Sequence, residues 1–313
     1  MTPKYGTDAT LPALQTLGSL QTDILDLLYD GVYCVDLSQK ITLWNKSAET
    51  ITGYKKEEVV GRCCSDNILC HVNGNGEELC VKGCPLSQTL KDGKIRDANV
   101  YLHHWSGHRV PVSIRVSPIY NDEQQIVGAM EVFTGNSQNI DMLTEFESFR
   151  NETFTDGLTR VGNRRYAEFE LKKRFDDLKA FRIEFGILLF DIDRIKAIVD
   201  THGSVVGDKV RQMVAKTVYN MIRSLDSICR WDADRFILIL PNVDSTTLAA
   251  VGEKIRLFVE KTWLQAGREM IRITISPKGI MADDNDTIES LVQRADGLTG
   301  QTGQNRPNTT AIG

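Results

Sequence analysis

Two short stretches in the second half of the chain place acids where phosphate chemistry is done. Asp191 and Asp193 close the apolar run FGILLFDI (185–192). Two carboxylates at i and i+2 of a strand share one face, and ligands of α/β sheets gather at the carboxyl ends of strands. The second stretch is ICRWDADRF (228–236), which reads as the tip of a β-hairpin continued by FILIL (236–240) and closed by Pro241. Asp191 and Asp234 could together hold Mg²⁺, an ion that needs few protein carboxylates when phosphates complete its shell. The tip carries no glycine, the residue that reaches positive φ cheaply in tight hairpins. Asp232, Ala233, Asp234 and Arg235 therefore leave three readings: a surface hairpin, an active site, or an active site taken apart.

A different chemistry is suggested by GRCCSDNILCHVNGNGEELCVKGCP, which holds Cys63, Cys64, Cys70, Cys80 and Cys84 with His71 among them. Cys64, Cys70, Cys80 and Cys84 form a four-ligand set for Zn²⁺ or an iron–sulfur cluster. Their spacing matches no common zinc or ferredoxin pattern. Redox-active thiols, or buried cysteines serving as small apolar residues, are the other two readings. Cys34 and Cys229 lie inside strand patterns and are expected in the core, as are Trp44 and Trp105. His103, His104, His108 and His202 are expected at the surface.

These residues need elements to position them. The chain has 313 residues, enough for two cores, with 41% hydrophobic and 25% charged residues as in an ordinary globular protein. A net charge of -5 gives no basic footprint for nucleic acid. No apolar run is long enough to span a bilayer and the N-terminus has no signal-peptide pattern, so a cytoplasmic protein is expected. GVYCVDL (31–37), ITLWN (41–45), ANVYLHHW, VPVSIRVSPIY and VGAMEVFTG read as strands, with helical sequence around Lys46 to Val60. This is a small α+β domain with one sheet. After Asp156 helix and strand alternate. Val206, Val210, Val214, Val218 and Met221 form one helical face, Leu248, Val251, Ile255, Phe258 and Thr262 another, and IRITIS (271–276) reads as a strand.

DGLTRVGNRR (156–165), FDIDRIKAIVDTHGSVVGD (190–208), RSLDSICRWDADRF (223–236) and ITISPKG (273–279) stand in the order and spacing of a GGDEF domain. The second half resembles that family, whose members make cyclic di-GMP from two GTP molecules. The first half resembles a PAS sensor domain through DGVYCVDLSQKITLWNKSAETITGYKKEEVVG (30–61) and VSPIYNDEQQIVGAMEVF. The resemblances imply an α+β PAS domain joined by a helical linker to an α/β, nucleotidyl cyclase-like GGDEF domain with a central, mostly antiparallel sheet. The expected layout is a disordered lead-in over 1–20, a PAS domain with a Cys-rich insert over 21–136 and a linker helix over 137–155. The GGDEF domain follows over 156–305, and a disordered tail over 306–313.

By the same resemblance, Asp191 and Asp234 occupy metal-binding positions, Lys196 a phosphate-contacting one and Asp208 one that contacts guanine. The family signature Gly-Gly-(Asp/Glu)-Glu-Phe becomes Asp232-Ala233-Asp234-Arg235-Phe236. Arg235 thus puts a cation where an acid would stand beside the metal, unless it swings out to water. Val199 replaces a guanine-binding Asn, Ser204 replaces a His, and the stretch after Ala295 has no clear equivalent of a phosphate-binding Lys. The expectation is a vestigial substrate site and no catalytic residues. Arg223 and Asp226, in Arg223-Ser224-Leu225-Asp226, match the RxxD motif that binds the cyclic product. A guanidinium donating to O6 and N7, with a carboxylate accepting from N1–H and N2–H, suits guanine.

The reading that follows is an inactive GGDEF protein that binds cyclic di-GMP through Arg223 and Asp226. It would take sensory input from the PAS domain, dimerise with a second copy and act on a downstream protein. An active diguanylate cyclase with a divergent signature is the alternative, and a scaffold that binds no cyclic dinucleotide a third.

Overall fold

The computed structural model describes residues 24–64, 66, 68–81, 83–135, 153–301 and 307–313. The expected lead-in over 1–20 and residues 137–152 of the expected linker helix lie outside them. The described residues form two units.

The first unit is built on a five-stranded sheet. Its strands are β1 (Gly31–Asp36), β2 (Ile41–Trp44), β3 (Arg96–His103), β4 (Arg109–Tyr120) and β5 (Ile126–Gly135), in the order β2-β1-β5-β4-β3. Helices α1 (Lys46–Thr52), α2 (Lys56–Val59) and α3 (Pro85–Asp92) connect β2 to β3. Alternation places Tyr33 and Val35 of β1 on the same buried face as Ala129 and Phe133 of β5, as the period of two requires. Asn45 joins β2 to α1. It is 1% exposed, and its side-chain oxygen accepts from Ala48 N and Val32 N at 2.8 Å. A buried amide with all its bonds made caps the helix and fixes the strand together.

The second unit has a five-stranded sheet of order β12-β11-β6-β8-β7. Its strands are β6 (Phe185–Asp191), β7 (Ser227–Arg230), β8 (Arg235–Pro241), β11 (Lys278–Met281) and β12 (Ala311–Ile312). β6 pairs antiparallel with β8 and β11, β7 pairs antiparallel with β8, and the β11–β12 pair is parallel. The expected mostly antiparallel sheet is therefore present. Helices α4 (Arg164–Phe181), α5 (Ile195–His202), α6 (Ser204–Tyr219), α7 (Ser245–Glu260) and α8 (Ile288–Gln301) complete the unit, with a hairpin of β9 (Trp263–Ala266) and β10 (Glu269–Arg272).

Both faces of this sheet are covered, which is why β6 and β8 read as continuous apolar runs. On one face Leu188, Phe190, Leu238 and Leu240 pack with Val210 and Val214 of α6 and Leu248 and Ile255 of α7. On the other, Ile187, Leu189, Ile237 and Ile239 pack with Leu171 and Phe175 of α4 and Leu291 of α8.

Several expectations are corrected. IRITIS is not one strand: Ile271 and Arg272 end β10, and only a single bridge, Ile192 to Ile275, ties the following residues to the end of β6. Residues 307–313, expected to be disordered, include β12, which pairs Ala311 with Lys278 and Ile312 with Gly279. Backbone pairing at an open sheet edge satisfies a polar segment that carries no apolar period of its own. His103 is fully buried, with its Nδ1 3.0 Å from the Tyr54 hydroxyl, and Trp105 is 55% exposed, so those two assignments are reversed. Among the described residues, no helix is long and apolar enough to cross a membrane.

Candidate functional site

The hairpin tip closes without glycine because none of residues 232–235 adopts positive φ. Trp231 N and Asp232 N both donate to the Arg235 carbonyl, at 2.9 and 3.2 Å. From the flank, Arg230 donates to the Ala233 carbonyl through Nε and Nη2, at 3.1 and 2.7 Å, and pairs with Asp156. Burial works against the Asp156 carboxylate, yet the Thr159 hydroxyl and amide and the Arg230 charge hold its pKa below the ordinary value. The tip is thus held by side chains where a glycine turn would be held by backbone freedom.

Register decides what happens at its end. Asp191, the last residue of β6, lies directly opposite Arg235, the first residue of β8. Directly opposed side chains on an antiparallel pair meet on one face. An acid at 235 would bring a second carboxylate to Asp191; the arginine brings an ion pair. Arg235 Nε donates to Asp191 Oδ1 at 2.9 Å and Nη2 to Oδ2 at 3.2 Å. Its remaining arm, Nη1, donates to Asp296 Oδ2 of α8 at 3.0 Å. The guanidinium does not swing out to water: it bridges two aspartates as a bidentate fork plus one arm. The bond to Asp191 first, and the charges of Asp191 and Asp296 after it, raise the pKa of Arg235 further.

Asp234 is treated the same way by a different arginine. Arg211 of α6 donates from Nε at 2.7 Å and lies 2.6 Å away through Nη2, both to Asp234 Oδ1, while Nη1 reaches Asp208 Oδ1 at 3.0 Å. Asp208 and Arg211 are i and i+3 on one helix, so a single guanidinium spans both acids. Asp193 faces elsewhere. It lies beyond the end of β6, where strand alternation no longer applies, and it accepts from Thr274 Oγ1 at 2.6 Å, Ser276 Oγ at 2.9 Å and Asn308 N at 2.8 Å. Asp193→Ala should therefore cost about 3 kcal/mol of stability, since charged acceptors are worth 1.5–3 kcal/mol each and are only partly independent. The midpoint of denaturant unfolding checks this, with Asp193→Asn keeping part of the loss.

The expected magnesium pair, Asp191 and Asp234, does not fit an open metal site as arranged. Each carboxylate already faces a guanidinium, and among the described residues no group of three His, Cys, Asp or Glu side chains is placed to hold a metal ion. Lys196 is exposed on α5 with no ion pair among the described residues, and Val199, one turn on, packs where a Cβ on Gly207 of α6 would strike it.

The cysteine quartet finds no support on the same ground. None of the seven cysteines forms a disulfide, and Cys64, Cys70, Cys80 and Cys84 are not gathered as a metal set. Burial pushes the Cys80 thiol up to about 12 and raises Cys64 and Cys84 as well, so these are neutral thiols. Cys229 is fully buried, as expected of a core cysteine.

Arg223 and Asp226 do not form a side-chain pair. Asp226 Oδ2 accepts from the Arg223 backbone N–H at 2.9 Å, closing the turn before β7 and leaving the Arg223 side chain exposed. Burial raises the pKa of Asp226. Its carboxyl lines a cavity of about 610 Å³ shared with Arg160, Tyr166, Phe169, Lys173 and Tyr219. Sequence reasoning missed this cavity wall, together with Arg211 and Asp296. Arg211 had a legible signal, an i+3 partner for Asp208; Asp296 had none, because α8 reaches Arg235 only through the tertiary fold.

Comparison with known proteins matches residues 153–309 to the family model for the diguanylate cyclase GGDEF domain, and residues 30–137 to a PAS domain model. The probable diguanylate cyclase DgcE of Escherichia coli K12 is 26% identical over 232 residues, covering 72% of this chain and 20% of that protein. The diguanylate cyclase DosC of the same strain is 32% identical over 163 residues, covering 51% of this chain and 35% of that protein. The chain thus spans between a fifth and about a third of these relatives' length. A crystal structure of the coiled coil and GGDEF domain of DgcB from Caulobacter crescentus, in complex with c-di-GMP, superposes with a TM-score of 0.50. It is 23% identical and covers 55% of this chain and 92% of that one, a likeness of fold.

Proposed function

Because the chain belongs to the GGDEF family, with a PAS domain ahead of the GGDEF domain, we propose that it works within cyclic di-GMP signalling as a binder of the nucleotide and not as its source. The observation that carries this reading is the bridge from Arg235 to Asp191 and Asp296. A cation held by three hydrogen bonds stands at the carboxylate that a metal would need, and the triphosphate of GTP would have to be neutralised without it. Val199 adds a loss of base recognition. Catalytic groups acting as a unit fail together, so these substitutions compound.

Binding is placed at Arg223 and Asp226. The cavity beside Asp226 has the volume of a small-molecule site, with Tyr166, Phe169 and Tyr219 as stacking surfaces and Arg160 and Lys173 as phosphate partners. The exposed guanidinium of Arg223 is available to a guanine edge. The ligand state would pass to a downstream protein, with the chain paired to a second copy through the segment after the PAS domain.

Two measurements on the full chain test this. Incubation with GTP and Mg²⁺ should yield no cyclic di-GMP above a no-protein control, and calorimetry should show cyclic di-GMP binding that weakens by about tenfold or more in Arg223→Ala, as loss of one charge-assisted bidentate contact predicts. Multiple turnover would establish the alternative, an active diguanylate cyclase with a divergent signature, which the activity named for the relatives DosC and DgcE favours. A native chain silent in both assays would leave a scaffold.

A further inference from the structure

A second hollow in the GGDEF unit has a volume of about 470 Å³. Arg194, Ile198, Thr201 and His202 of α5 and its cap form one wall, and Arg272 and Asn308 stand opposite. Positions 194, 198, 201 and 202 fall on one helical face, at i, i+4, i+7 and i+8. Lys196 and Val199, the α5 residues tied to the substrate site by family resemblance, lie outside that lining, as do Asp191, Asp208, Asp234 and Arg235. The hollow therefore shares with the site described above only Asp193 and its partners Thr274 and Asn308.

We propose that this hollow binds a small phosphorylated anion through Arg194 and Arg272. The contrast with four paired arginines of the same unit gives the first reason. Arg211, Arg230, Arg235 and Arg256 each face a carboxylate, whereas Arg194 and Arg272 have no ion pair or side-chain hydrogen bond among the described residues. Two guanidiniums opening on one concavity repel each other mildly in water, and a di-anionic phosphate between them relieves that repulsion with paired N–H donors of matching geometry.

The second reason is the state of the acid in the wall. Asp193 could neutralise an arginine, but its oxygens accept from Thr274, Ser276 and Asn308, bonds that tie three segments of chain together. It is a strut and leaves the guanidiniums to a ligand. The His202 ring, with Nε2 3.8 Å from Glu269, adds a polar group to the lining. Ile198, with Ala197 and Pro307 beside it, supplies an apolar surface for the organic part of the ligand. An anion of about mononucleotide size fits this chemistry better than a bare inorganic ion, which would use only the two arginines.

The probes are inorganic pyrophosphate and adenosine monophosphate, titrated by calorimetry into the full chain. Arg194 has left-handed backbone, φ 56° and ψ 21°, so its test is Arg194→Asn, a residue that tolerates this region, combined with Arg272→Gln. The double variant should bind at least about tenfold more weakly, and raising salt from about 50 to about 500 mM should weaken the native chain in the same direction. Lys196→Ala and Arg223→Ala should bind as the native chain does. Tighter binding of the nucleotide than of pyrophosphate supports the apolar wall. The proposal is overturned if the native chain shows no binding at low salt, if the double variant binds normally, or if Lys196→Ala loses binding equally. Should the double variant lose thermal stability, Arg272→Gln alone decides, since its side chain is exposed and makes no bond the fold requires.

Discussion

Replacing Arg235 by alanine should give the GGDEF unit a magnesium response that the native chain lacks. In the native chain a divalent ion at Asp191 must displace a guanidinium bonded at 2.9 and 3.2 Å, and that guanidinium also holds Asp296. Truncation leaves two carboxylates without their shared cation. A metal bound at about 100 times its dissociation constant stabilises the folded state by about 2.7 kcal/mol, or roughly 5–10 °C for a domain of this size. Without magnesium the variant should lose at most about 1 kcal/mol, because Arg235 and its partners are a third to a half exposed and screened by solvent. Thermal unfolding with and without about 10 mM magnesium, at a constant ionic strength of about 0.15 M, reads both effects. Cyclase activity should not return, because Val199 is unchanged. An equal magnesium shift in the native chain would show that the metal site is open despite the arginine, and the inactive reading would go with it.

What could be read in the sequence follows a physical boundary. Local periodicity located β1, β2, β4, β5, β6 and the apolar faces of α6 and α7, because each buries a stripe set by its own residues. It joined Ile271 to Ser276 into one strand because a run of alternating apolar residues does not reveal that its partner changes part-way. It left β12 unread because Ala311–Ile312 is defined by the edge it meets and not by a pattern of its own. The same boundary runs through the site. The identities of Asp191, Asp234 and Arg235 were visible, but the fate of Arg235 depended on a register across the chain and on a helix residue, Asp296, that no local rule connects to it. Sequence left open whether the arginine points outward; cross-strand geometry closes the question.

Glu131 is the residue that periodicity should have found, since it shares the inward phase of Ala129 and Phe133 on β5. It is 1% exposed, lies opposite Tyr33 in register, and has His71 Nε2 at 3.5 Å from Oε1. Burial drives its pKa up to about 8, with a hydrogen bond from Tyr33 acting the other way. The groups that surround it include Tyr33 and the thiols of Cys64, Cys80 and Cys84, all pushed upward chiefly by burial and so neutral themselves. A carboxyl whose folded pKa lies above its unfolded one binds a proton more tightly when folded. Its contribution to stability is complete below the unfolded pKa and fades as pH rises towards 8. Across that window the PAS unit should lose stability at up to about 1.4 kcal/mol per pH unit, about 4 kcal/mol from pH 5 to 8. Glu131→Gln keeps the shape and removes the proton, so its unfolding midpoint should vary much less with pH and exceed that of the native chain most at pH 8. Parallel pH slopes for the two proteins would mean that burial does not hold the Glu131 carboxyl protonated in the folded state.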